Sequence, residues 1–167
     1  MADYYTPTVI QQTIPDTDMT PLERLLLSHI FSAERDGDGW YFYSEQGPAD
    51  VITVDRTELE AALTASQASD ENSANVFVTD HLPQPQSGEP LPAQIDLDLS
   101  ATSWEFIVQD IVRRSSSLSY VSAMSSFTCS RMRPDGFGGA VVLISPDEIL
   151  GKSTSDLLEE FMAHAVP

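Results

Sequence analysis

The sequence predicts an α+β fold: one domain with an antiparallel or mixed sheet and helices packed on one face. Three observations carry this. Segments with apolar residues at helical spacing open on capping boxes. Short runs rich in β-branched and aromatic residues lie between them, bounded by turn chemistry. Hairpin connections then use up most of the strands, which disfavours the repeated crossovers of a parallel doubly wound sheet. A chain of 167 residues, 41% of them hydrophobic, suits one such domain and needs no disulfide to hold a core.

Residues 1–19 read as an extended N-terminal arm, with Pro7, Pro15 and interspersed threonines; residues 20–167 read as the single domain. Thr20-Pro21-Leu22-Glu23 is a capping box with proline at the first helical position, and Leu22, Leu25, Leu26, His29, Ile30 and Ala33 follow on one face. The helix should stop near Glu34, before Asp36-Gly37-Asp38-Gly39. Trp40–Tyr43 and Val51–Val54 read as strands joined through Gln46-Gly47-Pro48-Ala49 as a hairpin. Asp55-Arg56-Thr57-Glu58 opens a second helix through Leu63.

Asn75–Thr79 (NVFVT) reads as a strand, and the proline-rich stretch 80–92 as an exposed connection. Ile95, Leu97 and Leu99 alternate with Asp96 and Asp98, the pattern of a strand with one wet face. Thr102-Ser103-Trp104-Glu105 opens an amphipathic helix that ends at Arg113-Arg114, where positive charge suits the helix dipole. A long strand over Leu118–Met132, a turn at 133–136 and a strand over Ala140–Ile144 follow. Ser145-Pro146-Asp147-Glu148 should cap a short helix, and a last helix runs from Thr154 to Ala165 with Leu157, Leu158, Phe161 and Met162 inward.

Charge is the outstanding property. Twenty-six acids face eight Lys and Arg, a formal net charge of −18. Residues 1–100 hold 18 acids and 3 bases, whereas residues 101–167 hold 8 and 5. Such a field repels nucleic acid and anionic membranes and attracts basic protein surfaces. No apolar run approaches the length of a membrane span, and the N-terminus lacks the pattern of a secretory signal. With one cysteine, Cys129, no intrachain disulfide forms, and a cytoplasmic location is expected.

Glu34–Glu45 (ERDGDGWYFYSE) places Glu34, Asp36, Asp38 and Glu45 near the ligand spacing of a calcium loop, with Gly39 sixth. Gly47-Pro48 and the strand-forming Trp40–Tyr43 leave no exit helix, so a turn is the better reading. Gly136-Phe137-Gly138-Gly139 leads into an apolar strand rather than a helix, unlike a phosphate loop. His29, His81, His164 and Cys129 show no nucleophile or metal spacing, so no cofactor and no catalytic residue is nominated. Arg113, Arg114, Arg131 and Arg133 are half of all Lys and Arg and nominate an anion site, set against pairing with the abundant carboxylates.

Between Asp36 and Asp98 stand 13 acids and one base, Arg56. The expectation is therefore a non-catalytic interaction module that docks a basic surface, in the manner of a DNA mimic acting on a DNA-binding protein. Asp36, Asp38, Glu45, Asp50, Asp96 and Asp98 are the contact residues expected. A ligand- or calcium-sensing domain, or a small enzyme without a motif, are the alternatives.

Overall fold

A computed structural model describes residues 2–68, 72–83 and 91–165. The fold is α+β. Its main sheet is antiparallel and has eight strands: β1 (Tyr4–Tyr5), β2 (Thr8–Ile10), β3 (Ile14–Pro15), β4 (Ser32–Asp36), β5 (Gly39–Ser44), β8 (Val121–Cys129), β9 (Gly138–Ile144) and β10 (Ile149–Ser153). The order is β10-β9-β8-β2-β5-β3, with β1 added to β8 and β4 to β5. A separate two-stranded ribbon pairs β6 (Val51–Asp55) with β7 (Gln94–Asp98).

Five helices accompany the sheets: α1 (Pro21–Ile30), α2 (Arg56–Ser66), α3 (Ser73–His81), α4 (Trp104–Arg114) and α5 (Thr154–Ala165). One core joins Ile10, Phe42, Val121, Ala123 and Ile144 of the sheet to Leu22, Leu26 and Leu27 of α1 and to Ile107 and Ile111 of α4. Phe31, just past α1, ties sheet to helix by edge-to-face contacts with Phe42 (6.4 Å between centroids) and Trp104 (5.2 Å). The ribbon closes the core from the other side with Ile52, Val54, Ile95 and Leu97.

Where the elements differ from expectation, tertiary pairing has overridden local preference. Residues 4–15 are extended, but they are woven into the sheet and bury Ile10 and Ile14 completely, so no boundary separates an arm at residue 19. α1 ends at Ile30, and Ser32–Asp36 pairs with β5 as a strand. β5 and β6 do not form a hairpin, since β5 pairs with β2, β3 and β4 while β6 pairs with β7.

The NVFVT segment is helical. Asn72 accepts the Asn75 N–H at 2.7 Å as an N-cap, and Ala74, Phe77 and Val78 then face the core at helical spacing. At 145–148 the cap bond does form, with the Ser145 hydroxyl accepting from the Glu148 N–H. Pairing of Ile144 with Ile149 turns the segment into a β9–β10 connection instead of a helix. The long strand is trimmed to Val121–Cys129. Of the proline-rich connection, residues 84–90 lie outside the described residues. α5 has the expected range, but none of its residues is buried, so its apolar stripe does not face inward. No described helix is long and apolar enough to cross a membrane.

Candidate functional site

The period-2 pattern of the ribbon builds an acidic surface. Ile52, Val54, Ile95 and Leu97 are buried, so their neighbours in sequence must point to solvent. The register sets Asp98 opposite Val51, Asp96 opposite Thr53 and Gln94 opposite Asp55. Asp96 accepts a hydrogen bond from the Thr53 hydroxyl at 2.7 Å. Asp98 accepts from the Ser100 N–H at 2.9 Å, and bonds from Ser100 hold its carboxyl below the ordinary aspartate value. Asp50 directly precedes the ribbon, and its carbonyl accepts from the Leu99 N–H.

Three of the six expected contact residues, Asp50, Asp96 and Asp98, therefore sit on one small element. Asp55 joins them; the sequence reading had placed it only as a helix cap, a role it also fills by accepting from the Glu58 N–H at 3.1 Å. Among the described residues none of these four carboxylates forms an ion pair with Arg or Lys. Arg56, the one base of this acidic stretch, is committed to Glu60 at 2.7 Å and to the Pro83 carbonyl at 2.9 Å.

The remaining three lie on the β4–β5 hairpin. Its turn depends on Gly37, at φ +57, and on Gly39, where a Cβ would stand 2.6 Å from the Ile14 carbonyl oxygen. Asp36 accepts from the Thr13 hydroxyl, and Glu34 from the Tyr43 hydroxyl at 2.7 Å. Asp38 is at the tip, whereas Glu45 follows the far end of β5, a separation of roughly 20 Å along an extended strand. Glu34, Asp36, Asp38 and Glu45 are thus spread along the length of a hairpin, whereas a calcium loop would wrap them around one ion. Among the described residues no three His, Cys, Asp or Glu side chains are grouped to hold a metal.

The four arginines do not converge either, because they flank opposite ends of β8. Arg113 donates to Asp110 (3.0 Å), to Gln109 (3.0 Å) and to the Pro146 carbonyl (2.7 Å). Arg114 donates to both oxygens of Glu23, at 2.8 and 2.6 Å. Arg133 lies 3.9 Å from Asp135, and Arg131 follows Cys129 at the other end. Glu23 is fully buried, completes the Thr20 capping box and joins α1 to the end of α4. Burial raises its carboxyl above the ordinary glutamate value, with Arg114 and the Thr20 amide pulling the other way.

A cleft of about 380 Å³ opens beside the ribbon, between residues 48–50 and the start of α4, lined among others by Asp50, Ser100, Trp104 and Glu105. Burial raises the Glu105 carboxyl, and its Oε2 is buried without a hydrogen-bond partner among the described residues. Ser103, the N-cap of α4, makes no side-chain cap bond, and Glu105 is the second residue of the helix. Like Asp55, Glu105 is not singled out as a site residue by the sequence, where its Thr-x-x-Glu start resembles the other helix starts.

The Nδ1 atoms of His29, His81 and His164 each lie 2.7–2.9 Å from the carbonyl four residues earlier on their own helix. Cys129 is buried, and a Cβ on Gly136 would stand 2.5 Å from the Cys129 Cβ. The glycine-rich stretch thus serves close packing and leads into β9, a strand. No protein-family model, curated protein or solved structure matches this chain.

Proposed function

We propose that this protein is a non-catalytic, cytoplasmic interaction module that docks a basic protein surface, of the kind a DNA-binding protein presents. The observation that carries this reading is the ribbon face. Asp55, Asp96 and Asp98 lie on one two-stranded element and Asp50 directly precedes it, all without a Lys or Arg partner among the described residues. Asp16, Asp110 and Glu23, by contrast, are each paired with an arginine. Rows of acids on a sheet face offer a basic partner the charge it otherwise finds on phosphates. Asp36 and Asp38, at a separate hairpin tip, extend the acidic field without sharing the ribbon.

The test is salt-graded capture from a lysate of the protein's own host, run in parallel with D50N/D96N/D98N. Asparagine retains a side-chain oxygen that accepts the Thr53 and Ser100 bonds, so the ribbon should fold. One DNA-binding protein retained at low salt, released as salt rises and lost by the triple variant is the expected result. Retention that ignores the triple variant, or no retention at low salt, overturns the reading.

A further inference from the structure

The C-terminal helix is built like a core helix and has no core. Leu157, Leu158, Phe161 and Met162 form one stripe on α5, yet Phe161 is 65% and Leu158 57% exposed. A twelve-residue helix is marginal alone and ordinarily gains its stability by burying such a stripe. The sheet has a matching surface. On the outer face, Met124 of β8 lies opposite Val141 of β9, and Leu143 of β9 opposite Leu150 of β10. These four make a contiguous apolar block, with Met124 53% and Leu150 51% exposed.

The two surfaces are next to each other in one chain, and both stay open. No linker residue separates β10 from α5. Ser153 and Asp156 cap the helix start reciprocally, the Ser153 N–H donating to Asp156 at 2.7 Å and the Asp156 N–H to the Ser153 hydroxyl at 3.2 Å. The Gly139 N–H donates to the Thr154 hydroxyl, and Lys152 pairs with Glu160 at 2.6 Å. These bonds fix how α5 leaves the sheet, and in that position its stripe and the block both remain largely exposed.

We propose that a second copy of the chain covers both surfaces, α5 of each copy laying its stripe on the Met124–Val141–Leu143–Leu150 block of the other. Such an exchange is two-fold symmetric, so the helix-on-sheet contact forms twice. The eight side chains leave on the order of 800 Å² open, the share each partner contributes to a standard stable interface. Charge selects a second copy over a basic partner at this site. Residues 120–167 carry six acids and three bases, against 20 and five in residues 1–119, so two copies meet where repulsion is weakest. The acidic ribbons stay outside the contact, and the dimer is independent of their role.

Sedimentation equilibrium from about 1 to 100 µM is the test, on the full chain and on F161E and L143E separately. Wild type is expected at twice 18.3 kDa. Each variant should weaken the dimer by at least about thirtyfold, as expected for the loss of a central apolar anchor. Both side chains are already open in the single chain, so an unchanged far-UV spectrum should accompany dissociation; if a variant unfolds, F161A and L143A replace it. A wild-type chain that stays at 18.3 kDa overturns the proposal, whatever other protein binds the stripe. So does a dimer that survives F161E, or one broken by F161E but indifferent to L143E.

Discussion

Glu23 concentrates several functions in one side chain: helix cap, partner of Arg114 and fully buried charge. Replacing it by alanine opens the capping box and leaves the Arg114 guanidinium without its carboxylate. The expected loss is about 3–5 kcal/mol, the range for breaking a buried pair, read from urea unfolding. Its raised pKa also sets a pH dependence. The folded chain holds the Glu23 proton where the unfolded chain, at the ordinary value of 4.5, has released it. Stability therefore falls as pH rises from there to the raised value and is level above it. Glu105 acts in the same direction, also through burial. Asp16, Asp98 and Asp156 have lowered values, so their contributions are present above 3.8 and fade as acid protonates them. In E23Q the decline above the ordinary glutamate range should be shallower than in wild type; parallel pH profiles would refute the assignment. The Thr20–Glu23 box was legible because capping is a local pattern. The Arg114 partner was not, since it is 91 residues away and depends on how α1 meets α4.

At the scale of elements, α3 measures what local patterning leaves out. Val76, Phe77 and Val78 favour a strand by type, but a strand here would alternate faces, whereas α3 buries Ala74, Phe77 and Val78 together. The helix start is satisfied from two sides: Asn72 accepts the Asn75 N–H, and Asp110 of α4 accepts the Ser73 N–H at 2.7 Å. Asn72→Ala should cost about 1 kcal/mol, with Asn72→Ser recovering most of it, seen as a shifted urea midpoint at constant slope. A neutral Asn72→Ala would mean that Asp110 alone secures the end. The 145–148 turn carries the complementary lesson, because a Ser-x-x-Glu signal satisfies end amides whether a helix or a strand follows. β7 was legible for the opposite reason, since alternation of Ile95 and Leu97 with Asp96 and Asp98 reports directly on which face is wet.

For the whole molecule, the decisive quantity is how a net charge of −18 is distributed. The sequence located the acidic stretch but could not tell clustering from dispersion, because that depends on β6 and β7 pairing across some forty residues. The fold gathers Asp50, Asp55, Asp96 and Asp98 on the ribbon and leaves Asp36, Asp38 and Glu45 along the hairpin. Carboxylates without cationic partners repel one another, and that repulsion is carried through solvent, where salt screens it. The Debye length shrinks from about 30 Å at 0.01 M to about 3 Å at 1 M, so the urea midpoint of wild type should rise across that range in sodium chloride. D50N/D96N removes part of the repulsion while keeping an oxygen acceptor at Thr53, and it leaves Asp98 with the Ser100 bonds that lower its carboxyl. It should start from a higher midpoint at low salt and rise less. A midpoint that falls with salt would show that attractive pairs such as Arg114–Glu23 and Lys152–Glu160 outweigh the repulsion. A double variant less stable than wild type at low salt would show that Asp50 and Asp96 serve folding, and the reason to assign them to a partner would go with it.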